Sequence, residues 1–240
     1  EKTRTKTTRN SLILLLTAAI WGMAFVSQSK GMDYMHPFTF NGVRSLIGAA
    51  SILVYILISR KIAGDKAAPL DWKLNVKAGL LCGIFLTIAS TLQQFGIKYT
   101  SVGKAGFITT LYIIFVPMFG IFLKKKVAPV VWAAAVMAAV GMYLLCMTES
   151  LRLGAGDIMV FLCAIAFAIQ IMTVDHYAAR IDGTVVSCIQ FTVCGVVCCI
   201  GALIWGQPTF GQLQEGLGAL LYAGVLSCGV GYTLQIVGQK

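Results

Sequence analysis

TLQQFGIK, the stretch at positions 91–98, recurs as TLQIVGQK at positions 233–240, an offset of 142 residues at which five of the eight residues are identical. A second pair of matching segments has the same offset: Ala24, Phe25 and Gln28 correspond to Ala166, Phe167 and Gln170. Two separate matches at one offset indicate an internal repeat, and weak internal symmetry of this kind is found in many transporter folds.

The composition around these segments is that of a membrane protein. Of 240 residues, 58% are hydrophobic and 12% are charged, and the mean hydropathy is +0.84. A soluble domain has about 25% charged residues, so this chain has too few to cover a surface in water. The net charge of +10 lies in short clusters between apolar runs, which argues against a nucleic-acid partner and for the lipid bilayer.

The apolar runs predict an all-α polytopic fold. A helix needs about 20 apolar residues to cross the hydrocarbon core of a bilayer. Short connections separate the runs, which leaves no room for a soluble domain. Eight stretches qualify: 11–28, 39–58, 76–97, 103–123, 129–147, 157–174, 185–205 and 217–237.

Lysine and arginine predict the orientation of these spans. With the N-terminus in the cytoplasm, twelve cations fall on the cytoplasmic side and four on the other side. Cytoplasmic loops are enriched in Lys and Arg, so the bias predicts a cytoplasmic N-terminus. The cytoplasmic set is Lys2, Arg4, Lys6, Arg9, Arg60, Lys61, Lys66, Lys73, Lys124, Lys125, Lys126 and Arg180.

The offset of 142 residues contains five predicted spans, an odd number, so the second copy is predicted to enter the membrane from the opposite face. Inverted repeats of this kind are typical of secondary transporters, whose solute site lies where the copies meet. The predicted organisation is a basic cytoplasmic tail at 1–10, a first repeat of five spans at 11–147 and a second repeat of three spans at 154–240. The second copy stops where the first continues for two more spans, so we expect a protein of ten spans whose C-terminal end is missing here.

Several motifs resemble one family. They are IWGMAF at positions 20–25, FNGVR at 40–44, TLQQFGIKYT at 91–100, and GKAGF at 103–107 followed by Leu111 and Tyr112. In order and spacing they are similar to the drug/metabolite transporter superfamily, specifically its EamA-type bacterial permeases. The resemblance implies a bacterial inner-membrane protein with ten helices in two inverted repeats. It also implies alternating access around a central cavity and small metabolites such as amino acids as solutes, with export a common direction.

Polar and aromatic residues within the spans are the candidate solute site, because polar side chains at bilayer depth are costly and usually face the bundle interior. Trp21, Phe25 and Gln28 lie on one helix face, with Phe167 and Gln170 as their repeat counterparts. An aromatic wall with an amide can stack on a solute and hydrogen-bond it. The alternative for each glutamine is a bond that joins neighbouring helices.

Arg44 is the cation placed deepest in a predicted span, and Asn41 lies one helical turn before it. Arg44 either attracts a solute carboxylate or extends to the outer interface and anchors the helix there. Gln93, its repeat counterpart Gln235, and Tyr112 complete the candidate set, each with packing as the alternative.

The acids point to the mode of coupling. No Glu occurs in any predicted span, and the acid nearest to a span is taken to be Asp175, at the inner end of the sixth. Proton-driven carriers commonly use membrane carboxylates, so the pattern suggests a facilitator or an exchanger.

Two other classes of function stay open at this point: a membrane-embedded enzyme and a scaffold that transports nothing. The sequence contains no HExxH or GxSxG motif, so we expect neither catalytic residues nor a metal or cofactor. The eight cysteines all lie in apolar runs, where they are expected to pack as small hydrophobes. A homodimer is a possible assembly.

Overall fold

The computed structural model describes residues 2–64, 70–122, 129–146 and 154–238. These ranges form helices joined by short turns and contain no strand. The helices are α1 (Lys2–Gly31), α2 (Pro37–Ala63), α3 (Trp72–Tyr99), α4 (Val102–Thr110), α5 (Tyr112–Phe122), α6 (Pro129–Cys146), α7 (Ala155–Tyr177), α8 (Gly183–Gly201), α9 (Phe210–Glu215), α10 (Leu217–Leu221) and α11 (Tyr232–Gly238).

Helices coincide with all eight predicted spans, which confirms the all-α polytopic fold. Seven of them are long and apolar enough to cross a membrane. The remaining one is the fifth predicted span, α6, whose apolar stretch is shorter, at Pro129–Gly141. At the N-terminus the helix begins at Lys2, so the basic segment predicted as a tail continues the first helix and adds about two turns to it.

Polar residues at the interfaces begin several of these helices. The Asp71 carboxylate accepts a hydrogen bond from Leu74 N at 3.0 Å, and the Ser101 hydroxyl accepts one from Lys104 N at 3.2 Å. The Asp182 carboxylate does the same for Thr184 N at 3.0 Å. Such caps satisfy amides that have no partner in the first turn of a helix, which fixes where α3, α4 and α8 start.

Two of the spans are irregular. The fourth span breaks at Leu111, between α4 and α5, and contains Pro117, which has no N–H to donate within the helix. The eighth span begins as α10, continues as a π-helix at Tyr222–Gly231 and ends as α11. We call this whole element, Leu217–Gly238, the last span. A π-helix is rare and is frequently found at functional sites.

The two predicted repeats pack against each other crosswise. Helix α3 packs on α7 and α8, the last span packs on α1 and α2, and α2 packs on α8. The offset pairs α1 with α7, α2 with α8 and α3 with the last span, so each of these contacts has its counterpart under exchange of the repeats. The inverted orientation of the copies stays a prediction.

Glycines allow the central helices to approach closely. A Cβ at Gly48 of α2 would lie 2.4 Å from Cys228 Cβ of the last span, and one at Gly42 would lie 2.9 Å from Cys199 N of α8. Close approach through small residues is the usual basis of helix association in membranes. The core between these helices includes Ile52, Leu86, Phe191, Cys194 and Cys198, while many large apolar side chains face outward toward lipid.

Candidate functional site

None of the ten candidate residues faces lipid as an exposed side chain. Trp21, Phe25, Tyr112, Phe167 and Gln235 are half-buried. The other candidates are buried, with at most 6% of each residue exposed: Gln28, Asn41, Arg44, Gln93 and Gln170. The polar residues therefore face the interior of the bundle, as predicted for side chains at membrane depth.

Arg44 lies seven residues into α2, about 10 Å below its start. Its Nε donates a hydrogen bond to Asn41 Oδ1 at 2.8 Å, and its guanidinium carbon lies 5.8 Å from the centre of the Phe40 ring. Only 6% of Arg44 is exposed, so the bundle encloses the side chain. This burial favours a role inside the bundle over an anchor at the membrane surface, and the role of Arg44 stays a prediction.

Elements of both predicted repeats surround Arg44. Its neighbour Ser45 has its hydroxyl oxygen 3.5 Å from Cys194 Sγ of α8, and a Cβ at Gly224 of the last span would lie 3.0 Å from Arg44 O. Arg44 thus lies where α2, α8 and the last span meet. We call the pair of Arg44 and Asn41 the Arg44 site.

Several buried polar side-chain atoms in the predicted outer half of the bundle have no hydrogen-bond partner among the described residues. Native proteins pair the large majority of such atoms, so a group of unpaired ones is a feature that needs an explanation. Four lie toward the ends of α1, α2 and α3 on the predicted outer side: Gln28 Oε1, Thr39 Oγ1, Asn41 Nδ2 and Gln94 Oε1.

The remaining amides on this side join neighbouring helices. Gln94 Nε2 donates to the backbone oxygen of Gln28 at 3.1 Å, which connects α3 to α1. Gln93 Nε2 donates to Thr109 Oγ1 at 3.3 Å, which connects α3 to α4 three residues before Tyr112. One amide N–H of Gln93 is therefore used in a contact between helices, which is the alternative to a role in solute binding.

Gln170 lies at a different depth and has a partner that the sequence did not indicate. Its Nε2 donates to Gln190 Oε1 of α8 at 2.9 Å, and both side chains are buried. Gln170 is seven residues before the end of α7 and Gln190 seven after the start of α8, so the pair lies about 10 Å from the predicted inner side. The polar residues thus form an outer group around Arg44 and an inner pair.

The aromatic candidates are divided among different contacts. Trp21 Nε1 donates to Ser227 O at 3.2 Å, and the Trp21 ring centre lies 5.2 Å from that of Tyr232. Tyr232 in turn packs edge-on against Phe191 at 4.7 Å. Phe25 packs in an apolar cluster with Ile97, Ala105, Ile108 and Val160, and Phe167 packs against the central core. Trp21 and Phe25 therefore contact different neighbours, and the aromatic wall stays a prediction.

Asp157 corrects the interpretation of the acids. It is the first residue of the sixth predicted span, and it is buried in the third position of α7. Its carboxylate accepts hydrogen bonds from the Thr100 hydroxyl and from Gly154 N, the latter at 2.9 Å. Lys104 Nζ lies 3.7 Å from the same carboxylate. A buried membrane carboxylate is therefore present, and the argument for a facilitator from the lack of one does not hold.

One cavity among the described residues opens between α4, α5 and α6, and Arg44 is not among the residues that line it. This cavity has room for about one water molecule and is lined mainly by apolar residues that include Phe107, Leu111 and Ala135. The helices around Arg44 are in close contact, as the short distances at Gly42, Gly48 and Gly224 show.

Ligands for a metal ion do not converge in the described part of the chain. No group of three His, Cys, Asp or Glu side chains gathers there closely enough to hold an ion. The seven cysteines described are free thiols.

Comparison with known proteins identifies the family. The model of the EamA-like transporter family matches residues 9–147 and again residues 154–240. The chain belongs to the EamA-like transporter family. It is a multi-pass membrane protein, and the family match agrees with the resemblance in its motifs.

Relatives of this EamA-like chain carry names of the same kind. An uncharacterized transporter of Archaeoglobus fulgidus is 30% identical over 180 residues, which cover 72% of this chain and 51% of that protein. The uncharacterized transporter YwfM of Bacillus subtilis is 26% identical over 228 residues, which cover 93% of this chain and 74% of that protein. The chain thus spans about half the length of the first of these relatives. A solved crystal structure has the same fold, with a TM-score of 0.66 at 17% identity over 96% of this chain and 79% of that one.

Three contact partners of the candidate residues were not predicted from the sequence: Thr109, Gln190 and Tyr232. Thr109 and Gln190 are ordinary polar residues within apolar runs, and only the packing shows which amide each of them meets. Tyr232 had a detectable signal, since it directly precedes the repeated TLQ segment. Asp157 had one as well, because it stands at the start of a predicted span.

Proposed function

We propose that this protein is a secondary transporter that moves small polar metabolites, such as amino acids or related solutes, across the membrane by alternating access. The observation that carries the proposal is a set of buried, unpaired polar atoms at the predicted outer ends of α1, α2 and α3, one of which is the amide nitrogen of Asn41 beside the buried Arg44. Each buried polar atom without a partner costs about 1–3 kcal/mol. A polar solute that supplies the missing partners would recover that free energy, which gives such a group a function.

The packing supports alternating access. In this mechanism one repeat tilts against the other, so that a site between them opens to each side in turn. Here α2 and α8 pack at the centre, and α3 and the last span pack crosswise on helices of the other repeat. The break at Leu111 and the π-helix at Tyr222–Gly231 are irregular positions within spans. We assign the close packing at the Arg44 site to a closed arrangement, which opens when the repeats separate.

The proposal includes an orientation. The N-terminus faces the cytoplasm, because twelve cations fall on that side against four. The membrane is the bacterial inner membrane, as the resemblance of the motifs to EamA-type bacterial permeases implies. Reporter fusions after residues 64 and 182, both predicted to be cytoplasmic, test this. A cytoplasm-active reporter should be active at both positions, and a periplasm-active reporter at either one would contradict the orientation.

Flux through the full chain in liposomes tests the transport proposal. Purified protein is reconstituted, and uptake of each of a panel of radiolabelled amino acids is measured against liposomes without protein. We expect saturable uptake of at least one compound, and faster uptake when the vesicles are preloaded with unlabelled solute. No uptake of any compound, together with hydrolysis of a lipid or a peptide, would support the membrane-enzyme alternative instead.

The same vesicles test the coupling. Uptake is compared with and without an ionophore that collapses the proton gradient. Loss of concentrative uptake indicates proton coupling, with Asp157 as the buried carboxylate to substitute next. Unchanged uptake indicates exchange or a different driving ion.

A further inference from the structure

We infer that the transported solute carries a carboxylate, which is bound by the guanidinium of Arg44 and the amide nitrogen of Asn41. This inference rests on the proposed transport function and adds the chemical class of the solute. Its basis is an imbalance between hydrogen-bond donors and acceptors at the Arg44 site.

The donors at this site outnumber the acceptors. An arginine has five N–H donors and no acceptor, and the one hydrogen bond recorded for the Arg44 side chain in the described part of the protein joins its Nε to Asn41 Oδ1. Because arginine can only donate, the Asn41 amide must present its oxygen to it. Asn41 Nδ2 therefore points elsewhere, and it is buried without a partner. The terminal guanidinium nitrogens and this amide nitrogen together lack an acceptor.

The charge of Arg44 also lacks an opposite charge within the described ranges. The recorded ion pairs join Arg60 to Asp182 and Lys104 to Asp157, so neither acid is paired with Arg44. The hydrogen-bond partner of Arg44, Asn41, is neutral. A buried cation with no anion is strongly unfavourable, whereas a bound anion would offset that cost and accept the free N–H groups.

A carboxylate fits this arrangement better than other anions. The planar guanidinium matches the two oxygens of a carboxylate in a bidentate geometry, and a single arginine neutralises a single negative charge. A phosphate monoester carries about two charges at neutral pH and would need a second cation. The Phe40 ring, whose centre lies 5.8 Å from the guanidinium carbon, offers an apolar surface beside the bound carboxylate.

The first experiment uses matched ligands that differ in the charge. The thermal unfolding midpoint of the purified full chain is measured with each of a panel of amino acids, with the corresponding amino acid amides, and with inorganic phosphate. We expect one or more carboxylates to raise the midpoint, and their amides and phosphate to leave it unchanged. In liposomes, the same carboxylates should compete with the radiolabelled solute at least 10-fold better than their amides do.

The second experiment changes the site. Hydrogen bonds to charged groups are typically worth enough to change affinity by 10- to 100-fold, so Arg44→Gln should weaken carboxylate binding by about that factor. Arg44→Lys keeps the positive charge but cannot form two parallel hydrogen bonds to a carboxylate, so it should weaken binding by an intermediate factor. Asn41→Ala should weaken binding by a smaller factor. Arg180→Gln removes an exposed cation and should leave binding unchanged.

The outcomes separate the two proposals. Equal stabilisation or equal competition by carboxylates and amides overturns the carboxylate inference, even when transport itself is demonstrated. Stabilisation by carboxylates that Arg44→Gln abolishes supports the inference, even when no flux is found and the transport proposal fails. If Arg44→Gln does not fold, the comparison of carboxylate with amide on the unsubstituted protein still decides, because it needs no variant.

Discussion

At the scale of single residues, the buried glutamines differ in which of their amide atoms have partners. Gln170 donates to Gln190 at 2.9 Å, and Gln93 donates to Thr109 at 3.3 Å. Gln94 donates to the backbone of Gln28, but the amide oxygens of Gln28 and Gln94 have no partner within the described part. The sequence predicted that Gln28, Gln93 and Gln170 avoid lipid, because an amide in lipid is costly wherever it occurs. It could not predict which amide is paired, because the partner depends on the rotation of a second helix.

The Gln170–Gln190 pair leads to a prediction about stability. Replacing either residue by Leu leaves the other amide buried and unpaired, so each single variant should lower the free energy of unfolding by about 1 kcal/mol. The double variant removes both amides and should lose clearly less than the sum of the two. Unfolding of purified protein in mixed micelles measures this cycle.

If the pair only joins helices, solute flux through Gln170→Leu should stay within about twofold of the unsubstituted protein once the amount of folded protein is matched. A large loss of flux with unchanged stability would instead place Gln170 in the solute pathway.

At the scale of the elements, hydropathy predicted the positions of the spans and missed the irregularities within them. The lengths of α2 and α3 follow from apolar runs, whose burial in lipid dominates all other contributions. The break at Leu111 and the π-helix in the last span depend on which neighbour packs against each turn. In the π-helix this neighbour is α2, which packs directly against a glycine. A Cβ at Gly224 would lie 2.7 Å from Ile47 Cγ2 and 3.0 Å from Arg44 O.

Gly224 and Gly218 of the last span therefore predict opposite results for the same substitution. Gly224→Ala forces a methyl group against α2 and should destabilise the protein by about 1–3 kcal/mol. Gly218→Ala introduces a methyl group with nothing within 4 Å and should be neutral or stabilise by up to about 1 kcal/mol. Thermal unfolding midpoints of the two variants test this, and similar effects at both positions would contradict the close contact between the last span and α2.

The start of α2 leads to a prediction about pH. His36 caps this helix, since its Nδ1 accepts a hydrogen bond from Phe38 N at 3.4 Å, and partial burial together with the nearby Lys98 lowers the pKa of His36 below its usual 6.5. A lowered histidine pKa means that the unfolded chain binds the proton more readily. The contribution of His36 is therefore complete above about pH 6.5 and decreases as the pH falls through the folded-state value.

Unfolding midpoints between pH 5 and pH 8 should show this decrease, and His36→Asn, which retains a side chain able to cap, should show a smaller one. An equal decrease in both proteins would assign the effect to another group.

At the scale of the whole molecule, two ion pairs close opposite ends of the bundle in different surroundings. The pair of Asp157 and Lys104 joins α7 to α4, with 4% and 17% of the two side chains exposed. The pair of Arg60 and Asp182 joins α2 to the start of α8, with about a third of each side chain exposed. The sequence predicted that Arg60 lies at the cytoplasmic end, because cations are enriched there. The burial of Asp157 depends on the packing of α3 on α7, so it could not be predicted from the residues around Asp157 alone.

These surroundings predict unequal effects of neutralising the two pairs. Asp157→Asn leaves Lys104 beside a neutral amide in a buried site and should lower the free energy of unfolding by about 1–3 kcal/mol. Arg60→Gln removes an exposed ion pair and should change it by less than about 1 kcal/mol. Chemical unfolding at low and high salt measures both, and only the Arg60 contribution should disappear at high salt. Equal losses would show that the Asp157 pair is as solvated as the other.

The buried free thiols have a practical consequence. Cys163, Cys194 and Cys228 are each at most 3% exposed and lie on α7, α8 and the last span, the elements that pack against the helices of the first repeat. A maleimide in the surrounding solution can reach them only when those elements move apart. The unmodified protein therefore carries its own chemical probes, and the rate at which each thiol is alkylated, followed by mass spectrometry, would report how often and from which side the bundle opens.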